Sequence, residues 1–246
     1  MAWELHGLGY DVLMTEVAVP LAVRRLVSFS RAVYDQTAVV DGVQAVRARS
    51  MEEVEAALAR RKIPVVVDAE AAVRRSFTPD VLVDGIMAKR NLGTRRDDAP
   101  LVVALGPGFR AGDDCDVVIE TQRGPELGRP IWAGSAAPNT GIPGNIGGCT
   151  AERLLRAAAG GVMDPQAAIG DLVSRGQGVA LTGGRPVRAQ ITGVVRGLLQ
   201  AGVPVSEGLK IGDVDPRGIL EYCYHISDKA HRIGQGVANA IASRPE

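Results

Sequence analysis

Short runs of consecutive apolar residues recur through the first half of the chain, separated by stretches of helical spacing. Val12, Leu13 and Met14 are continuous and end at Glu16, which predicts a buried strand over 11–16. Over 20–34, Val23, Leu26, Val27 and Ser30 repeat at helical spacing and Pro20 suits a first turn, so a helix is predicted there. Asp41-Gly42 separates two β-rich runs in 38–46 and predicts a hairpin. Ser50 and Glu53 form a capping box ahead of a helix whose apolar side is Val54, Ala57 and Leu58. Residues 63–67, 81–83 and 101–105 read as further buried strands. Strands alternating with helical segments give an α/β domain with a mostly parallel sheet. Residues 2–9 read as the end of a helix. In a dinucleotide-binding unit that helix follows a strand and a Gly-x-Gly-x-x-Gly turn. The expectation is therefore a Rossmann-like domain whose first strand and Gly-rich loop are missing from this sequence.

The second half has a different texture, without a long helical pattern between 160 and 216. It repeats itself at an offset of 32: Gly161-Val162 matches Gly193-Val194, and Gly170 matches Gly202. Val173-Ser174 and Gly176 match Val205-Ser206 and Gly208, with Val179 opposite Ile211. Two short β-rich halves joined through 182–186 predict a small, quasi-symmetric all-β barrel sandwich. This half resembles the biotinyl/lipoyl-like domains, whose carriers place a modified lysine at the joining hairpin. Here that hairpin is Gly183-Gly184-Arg185-Pro186, and Lys210 lies outside it, so an unmodified structural version is expected. Ser227 caps a final helix with Ala230, Ile233, Val237 and Ile241 on one face. The expected organisation is a Rossmann-like domain over 1–148, a barrel sandwich over 149–216 and a C-terminal helical segment over 217–246.

Charge and composition then exclude whole classes. Lys plus Arg and Asp plus Glu both number 28. With zero net charge, no global basic field draws the chain to nucleic acid or anionic membrane. Aromatic residues make up 4%, too few for base-stacking platforms. The apolar runs are strand-length, and the N-terminus has neither a basic nor an apolar signal region, which reads as cytoplasmic. Cys115, Cys149 and Cys223 are widely spaced and outside any Cys/His cluster, so neither a disulfide framework nor a metal site is expected.

Candidate chemistry gathers in the loops that follow strands, where open α/β sheets bind ligands. Glu16 ends a strand and could bond a ribose hydroxyl. Arg24-Arg25 and Lys89-Arg90 are basic pairs suited to phosphate. Gly106 and Gly108, in Gly106-Pro107-Gly108-Phe109-Arg110, allow close backbone approach to an anion, and Arg110 adds charge. Glu120, Thr121 and Arg123 bring an acid, a hydroxyl and a guanidinium together. His225, ahead of the last helix cap, and Glu120 are the weak candidates for acid–base work; His6 and His231 read as structural.

Several of these stretches carry a resemblance. Met14 through Tyr34, Met87 through Thr94, Ala104 through Phe109, Ile119 through Gly124, Pro138 through Gly144 and Gly208 through Arg217 are similar to the YqeB family. That family is described as a component of the selenium-dependent molybdenum hydroxylase system. The resemblance implies an accessory or maturation protein that works with a molybdenum hydroxylase or its maturation proteins. The ligand expected with it is a nucleotide-containing or molybdopterin-type anion. It also implies a leading strand and Gly-Ala-Gly-Asp loop, both upstream of this sequence. The family's Arg-Gly-His reads Arg123-Gly124-Pro125 here, so no role of that histidine transfers. A nucleotide- or NAD-dependent enzyme using the same cleft, and a non-catalytic module docking on the hydroxylase, are the competing readings.

Overall fold

The computed structural model describes residues 1–244. In chain order, the first half runs α1 (Ala2–Gly7), β1 (Met14–Glu16), α2 (Ala32–Asp35), β2 (Thr37–Val40), β3 (Val43–Ala48) and α3 (Met51–Ala59). It continues through β4 (Ile63–Val67), α4 (Arg74–Phe77), β5 (Val81–Asp84), β6 (Leu101–Leu105), β7 (Val117–Ile119) and β8 (Pro130–Ile131). The second half is mostly strand: β9 (Leu154–Arg156), β10 (Gly161–Pro165), β11 (Leu172–Val173), β12 (Gly178–Thr182) and β13 (Arg185–Arg188). After β14 (Gly193–Leu198), β15 (Pro204–Val205) and β16 (Lys210–Asp215), the chain closes with α5 (Asp228–Ala242).

The chain divides into two compact units. One holds Met1–Val12, Glu70–Gly141 and the stretch from Ser227 on; the other holds Leu13–Ala69 and Ile142–Ile226. These units cut across the linear partition at 148 and 216. The single expected parallel sheet is accordingly two sheets, one in each unit.

In the first unit, β5, β6 and β7 pair in parallel and β8 adds antiparallel to β7. Every residue of β6 and β7 is buried, because both faces of this sheet are covered. On one face Leu101, Val103, Leu105, Val117 and Ile119 share a core with Leu5 of α1 and with Ile233, Val237 and Ala240 of α5. Of the stripe expected on the last helix, Ile233 and Val237 are buried there and Ile241 packs at the edge, with Ala240 completing the face in place of Ala230. The other face packs Val102, Ala104 and Val118 under Phe109, Ala111 and Cys115. Among the described residues, the β5–β6 and β6–β7 connections contain no helix, so the helical crossovers of a Rossmann unit are not formed in this sheet.

In the second unit the order β1-β4-β3-β2 is parallel except for the β2–β3 hairpin. Asp41 (φ 42°) and Gly42 (φ 83°) make its two-residue turn, as the sequence predicts. Ser50 accepts the N–H of Glu53 at 3.2 Å, while the Glu53 carboxylate takes the N–H of Arg49 at 2.8 Å, so α3 starts where expected. The helix expected over 20–34 does not form as one element. Two 3-10 turns, Arg25–Val27 and Phe29–Arg31, lead into the short α2. Ser28 interrupts with an extended backbone (φ −132°, ψ 129°), and its hydroxyl meets that of Ser30 at 2.8 Å. Val23 and Leu26 still bury against the β-rich core, so packing overrides local periodicity.

The repeat is realised in full. Strands β9 to β12 and β13 to β16 correspond, and they form two four-stranded sheets ordered β13-β12-β10-β15 and β9-β16-β14-β11. Exchanging corresponding strands turns one order into the other. Each repeat therefore contributes two strands to each sheet, and the shared core runs from Leu155 through Val214. At the joining hairpin Gly183 (φ 54°) and Gly184 (φ 76°) make the turn, and a Cβ on Gly183 would run into the carbonyl of Gly160.

Candidate anion-binding site

The carboxyl ends of β5, β6 and β7 lie side by side, and the loops leaving them carry most of the expected contacts. Left-handed backbone at Met87 (φ 60°) and Lys89 (φ 65°) shapes the loop after β5. Such geometry in non-glycine residues costs of order 1 kcal/mol each and persists only where the surroundings enforce it. The loop after β6 supplies that enforcement. Gly108 (φ 109°) sits so close to the Lys89–Arg90 backbone that a Cβ would lie 2.5 Å from the Arg90 nitrogen. Gly106 (φ 76°) is pressed on the loop after β7, where a Cβ would lie 2.5 Å from the Thr121 hydroxyl. Both glycines are thus needed to bring three loops together.

Glu120 and Thr121 are buried at this junction. The two carboxylate oxygens of Glu120 accept the N–H groups of Gln122 at 2.6 Å and Ala137 at 2.8 Å, so this side chain fixes the loop. Asp84, at the end of β5, acts in the same way, accepting from Ile86 N–H at 3.0 Å and the Thr94 hydroxyl at 2.6 Å. Arg110 points elsewhere, forming an exposed pair with Asp113 at 3.1 Å. Lys89, Arg90 and Arg123 are exposed and make no hydrogen bond or ion pair among the described residues.

A cation outside these loops joins the set. Lys229 lies in the first turn of α5, half-buried. Burial pushes its ammonium below the ordinary lysine range; Arg123 and Lys89 push the same way, and Glu120 opposes them. Lys89, Arg123 and Lys229 therefore bear on one another beside the loops after β5 and β7, and the Glu120 carboxylate that opposes them already accepts two backbone N–H groups. A signal for Lys229 was present: a cation in a helix's first turn opposes the dipole, and such local violations mark positions under another demand.

The remaining expected contacts belong to the other unit. Glu16 ends β1, accepts the Val17 N–H at 2.9 Å and is pushed up in pKa by burial, which that hydrogen bond partly offsets. Arg24 donates to the carbonyls of Tyr222 at 2.8 Å and His225 at 3.1 Å. Arg25 donates to the Leu198 carbonyl at 3.1 Å. The His225 Nδ1 meets Asp41 Oδ1 at 2.7 Å, and the same carboxylate takes the Ile226 N–H at 2.9 Å, so His225 clasps the β2–β3 turn. Sequence order put these four near the others; the fold places all four in the second unit.

No family model matches the chain. It is 46% identical over 241 residues to the uncharacterized protein YqeB of Escherichia coli K12, covering 98% of this chain and 44% of that protein. The chain thus spans less than half the length of this curated relative. A solved aspartoacylase family protein from Mesorhizobium loti shares 20% identity over 26% of this chain and 22% of its own, with a TM-score of 0.24. That score is too low to say anything about fold.

Proposed function

We propose that this chain, 46% identical to YqeB over 98% of its own length and 44% of that protein's, belongs to the YqeB family and is an accessory or maturation protein of a selenium-dependent molybdenum hydroxylase system. In this reading the first unit holds a nucleotide-containing or pterin-type anionic cofactor through its phosphate. The observation that carries the binding reading is the mutual repulsion of Lys89, Arg123 and Lys229 beside the loops shaped by Gly106 and Gly108, where the opposing Glu120 carboxylate is already held by two backbone N–H groups. Backbone N–H groups of the turn and the first turn of α5 add to the same field. Rossmann-like ancestry of the parallel strands and a biotinyl/lipoyl-like origin of the two quasi-symmetric sheets fit this reading.

Glu120 gives an enzyme reading no support, since both its oxygens are held by backbone; His225 is oriented by Asp41 through Nδ1. The assembly-module reading has one favourable observation: the joining hairpin carries Arg185 where carriers hold lysine, on an exposed, well-formed turn. The two uses are compatible.

Native mass spectrometry of protein from its own source tests the binding reading. A released adduct of pterin or nucleotide mass, absent from an Arg123→Ala/Lys229→Met variant with unchanged secondary structure, is expected. A bare polypeptide mass that incubation with nucleotides and pterin cofactors leaves unchanged would rule it out.

A further inference from the structure

The second unit holds a concentration of buried charge that no part of this reading uses. Five cationic side chains, Arg24, Arg153, Arg196, Lys210 and Arg217, surround two buried carboxylates, Asp213 and Asp215, both on β16. The pairing is uneven. Arg217 binds Asp215 through two bonds, of 2.9 and 2.7 Å, and stacks on the Tyr222 ring at 4.2 Å. The other four cations share what is left.

The strand geometry is built around this cluster. Pairing of β14 with β16 shifts register between Val195 and Gly197, leaving Arg196 as the extra residue of a bulge. Bulges re-aim a side chain, and here a guanidinium is turned into a buried position. Gly197 lies opposite Asp213, and a Cβ on it would come within 2.7 Å of Asp213 Oδ1. A glycine thereby admits the carboxylate. Such an arrangement is more than strand pairing needs.

Counting donors and acceptors shows what the cluster lacks. The buried Nε groups of Arg24 and Arg153 have no hydrogen-bond partner among the described residues, and neither has Asp213 Oδ1. The Arg153 side chain is only 9% exposed. The bonds of Arg196, to Asp215 and to the Tyr222 carbonyl, are both 3.4 Å, at the weak end of the range. The half-buried Lys210 ammonium forms no hydrogen bond among the described residues. Spare donors on these cations and one spare acceptor therefore belong to one interacting charge cluster. Burial lowers the pKa of Arg24 to about 10, with Arg196 pushing the same way, and lowers those of Arg196 and Lys210 against the opposing pull of Asp213.

The geometry points to a binding site for a tetrahedral oxyanion that keeps one hydroxyl, of the hydrogen-phosphate type, held by Arg24, Arg153, Arg196 and Lys210 and donating its hydroxyl to Asp213 Oδ1. The anion oxygens satisfy the spare N–H groups and cancel the excess charge. Its hydroxyl answers the carboxylate oxygen, which would repel an oxyanion without a proton. Water could fill the acceptor but not the charge deficit. This site is independent of the one in the first unit.

Binding of inorganic phosphate is measured by calorimetry in the Arg123→Ala/Lys229→Met background, so that the first unit does not contribute. One phosphate per chain is expected, with sulfate weaker by at least about tenfold at neutral pH, because sulfate has no hydroxyl to donate. Glycerol phosphate, mostly without a hydroxyl proton near pH 8, should bind less well than free phosphate. Lys210→Met, at the half-exposed side of the cluster, should weaken phosphate binding at least about tenfold with circular dichroism unchanged. Arg185→Ala, on the exposed hairpin, should leave it unchanged. No phosphate binding up to about 10 mM, equal affinity for sulfate, or insensitivity to Lys210→Met would each overturn the assignment.

Discussion

At the residue scale, the same side-chain type serves opposite ends depending on its partners. Glu120 looks like a candidate acid in sequence, yet it is a fastener: two backbone N–H groups converge on its carboxylate. Glu120→Ala leaves both donors unsatisfied in a buried place and should cost about 2–4 kcal/mol, read as a lowered denaturation midpoint. Glu120→Gln keeps one good acceptor and should cost about half as much. Lys229 behaves in the reverse sense. Its folded pKa lies below the unfolded value, so the protonated form is penalised on folding, fully so below the folded pKa. The penalty fades as pH rises through that value towards about 10.4. Lys229→Met should therefore raise the melting temperature of the ligand-free protein at pH 7, by the equivalent of less than about 1 kcal/mol because the group is partly solvated. The gap from wild type should close as pH climbs. If Lys229→Met instead melts lower at pH 7, the unpaired-cation assignment fails.

At the element scale, features with local causes were legible. The Asp41-Gly42 hairpin, the Ser50 cap, the strand cores at 63–67 and 101–105 and the offset repeat all follow from turn chemistry, capping and periodicity. The stretch 20–34 was not, because its helical spacing comes from residues that bury on a neighbouring sheet while Ser28 stays extended. Nor were the partners of Arg24 and His225, which are supplied by residues about two hundred positions away. Helix α5 shows how sharply an element can be seated. A Cβ on Gly236 would collide with the Gly128 carbonyl, and one on Gly128, at φ 85°, with the Arg232 carbonyl. Both glycines set the distance between helix and loop. Gly128→Ala combines backbone strain with a clash and should lower stability by about 2–4 kcal/mol, more than Ala substitution at exposed Gly42 on the β2–β3 turn. Equal losses in thermal unfolding would remove the packing explanation.

At the scale of the whole molecule, the chain passes between its two units at 12–13, 69–70, 141–142 and 226–227. Domain boundaries read along the sequence assume that neighbours in the chain remain neighbours in space, and here they do not. A fragment ending at 148 keeps β5 to β8 but loses α5, which covers Leu105, Val117 and Ile119. That fragment should bind a hydrophobic dye strongly and self-associate, whereas the full chain should not. A dispersed, monomeric spectrum from the fragment would show that α5 is dispensable. The interleaved sheets of the β-rich core have a different consequence. Neither repeat owns a sheet, since β10 pairs with β15 and β11 with β14 across the repeat boundary. A lone repeat would find its missing strands only in a second copy of itself. Such a gene fragment would encode an obligate, strand-swapped homodimer, and the present core is that dimer made covalent by the short Gly183-Gly184 turn. Duplication and fusion are then the simplest history for it, and two separately expressed repeats should reassemble without that turn.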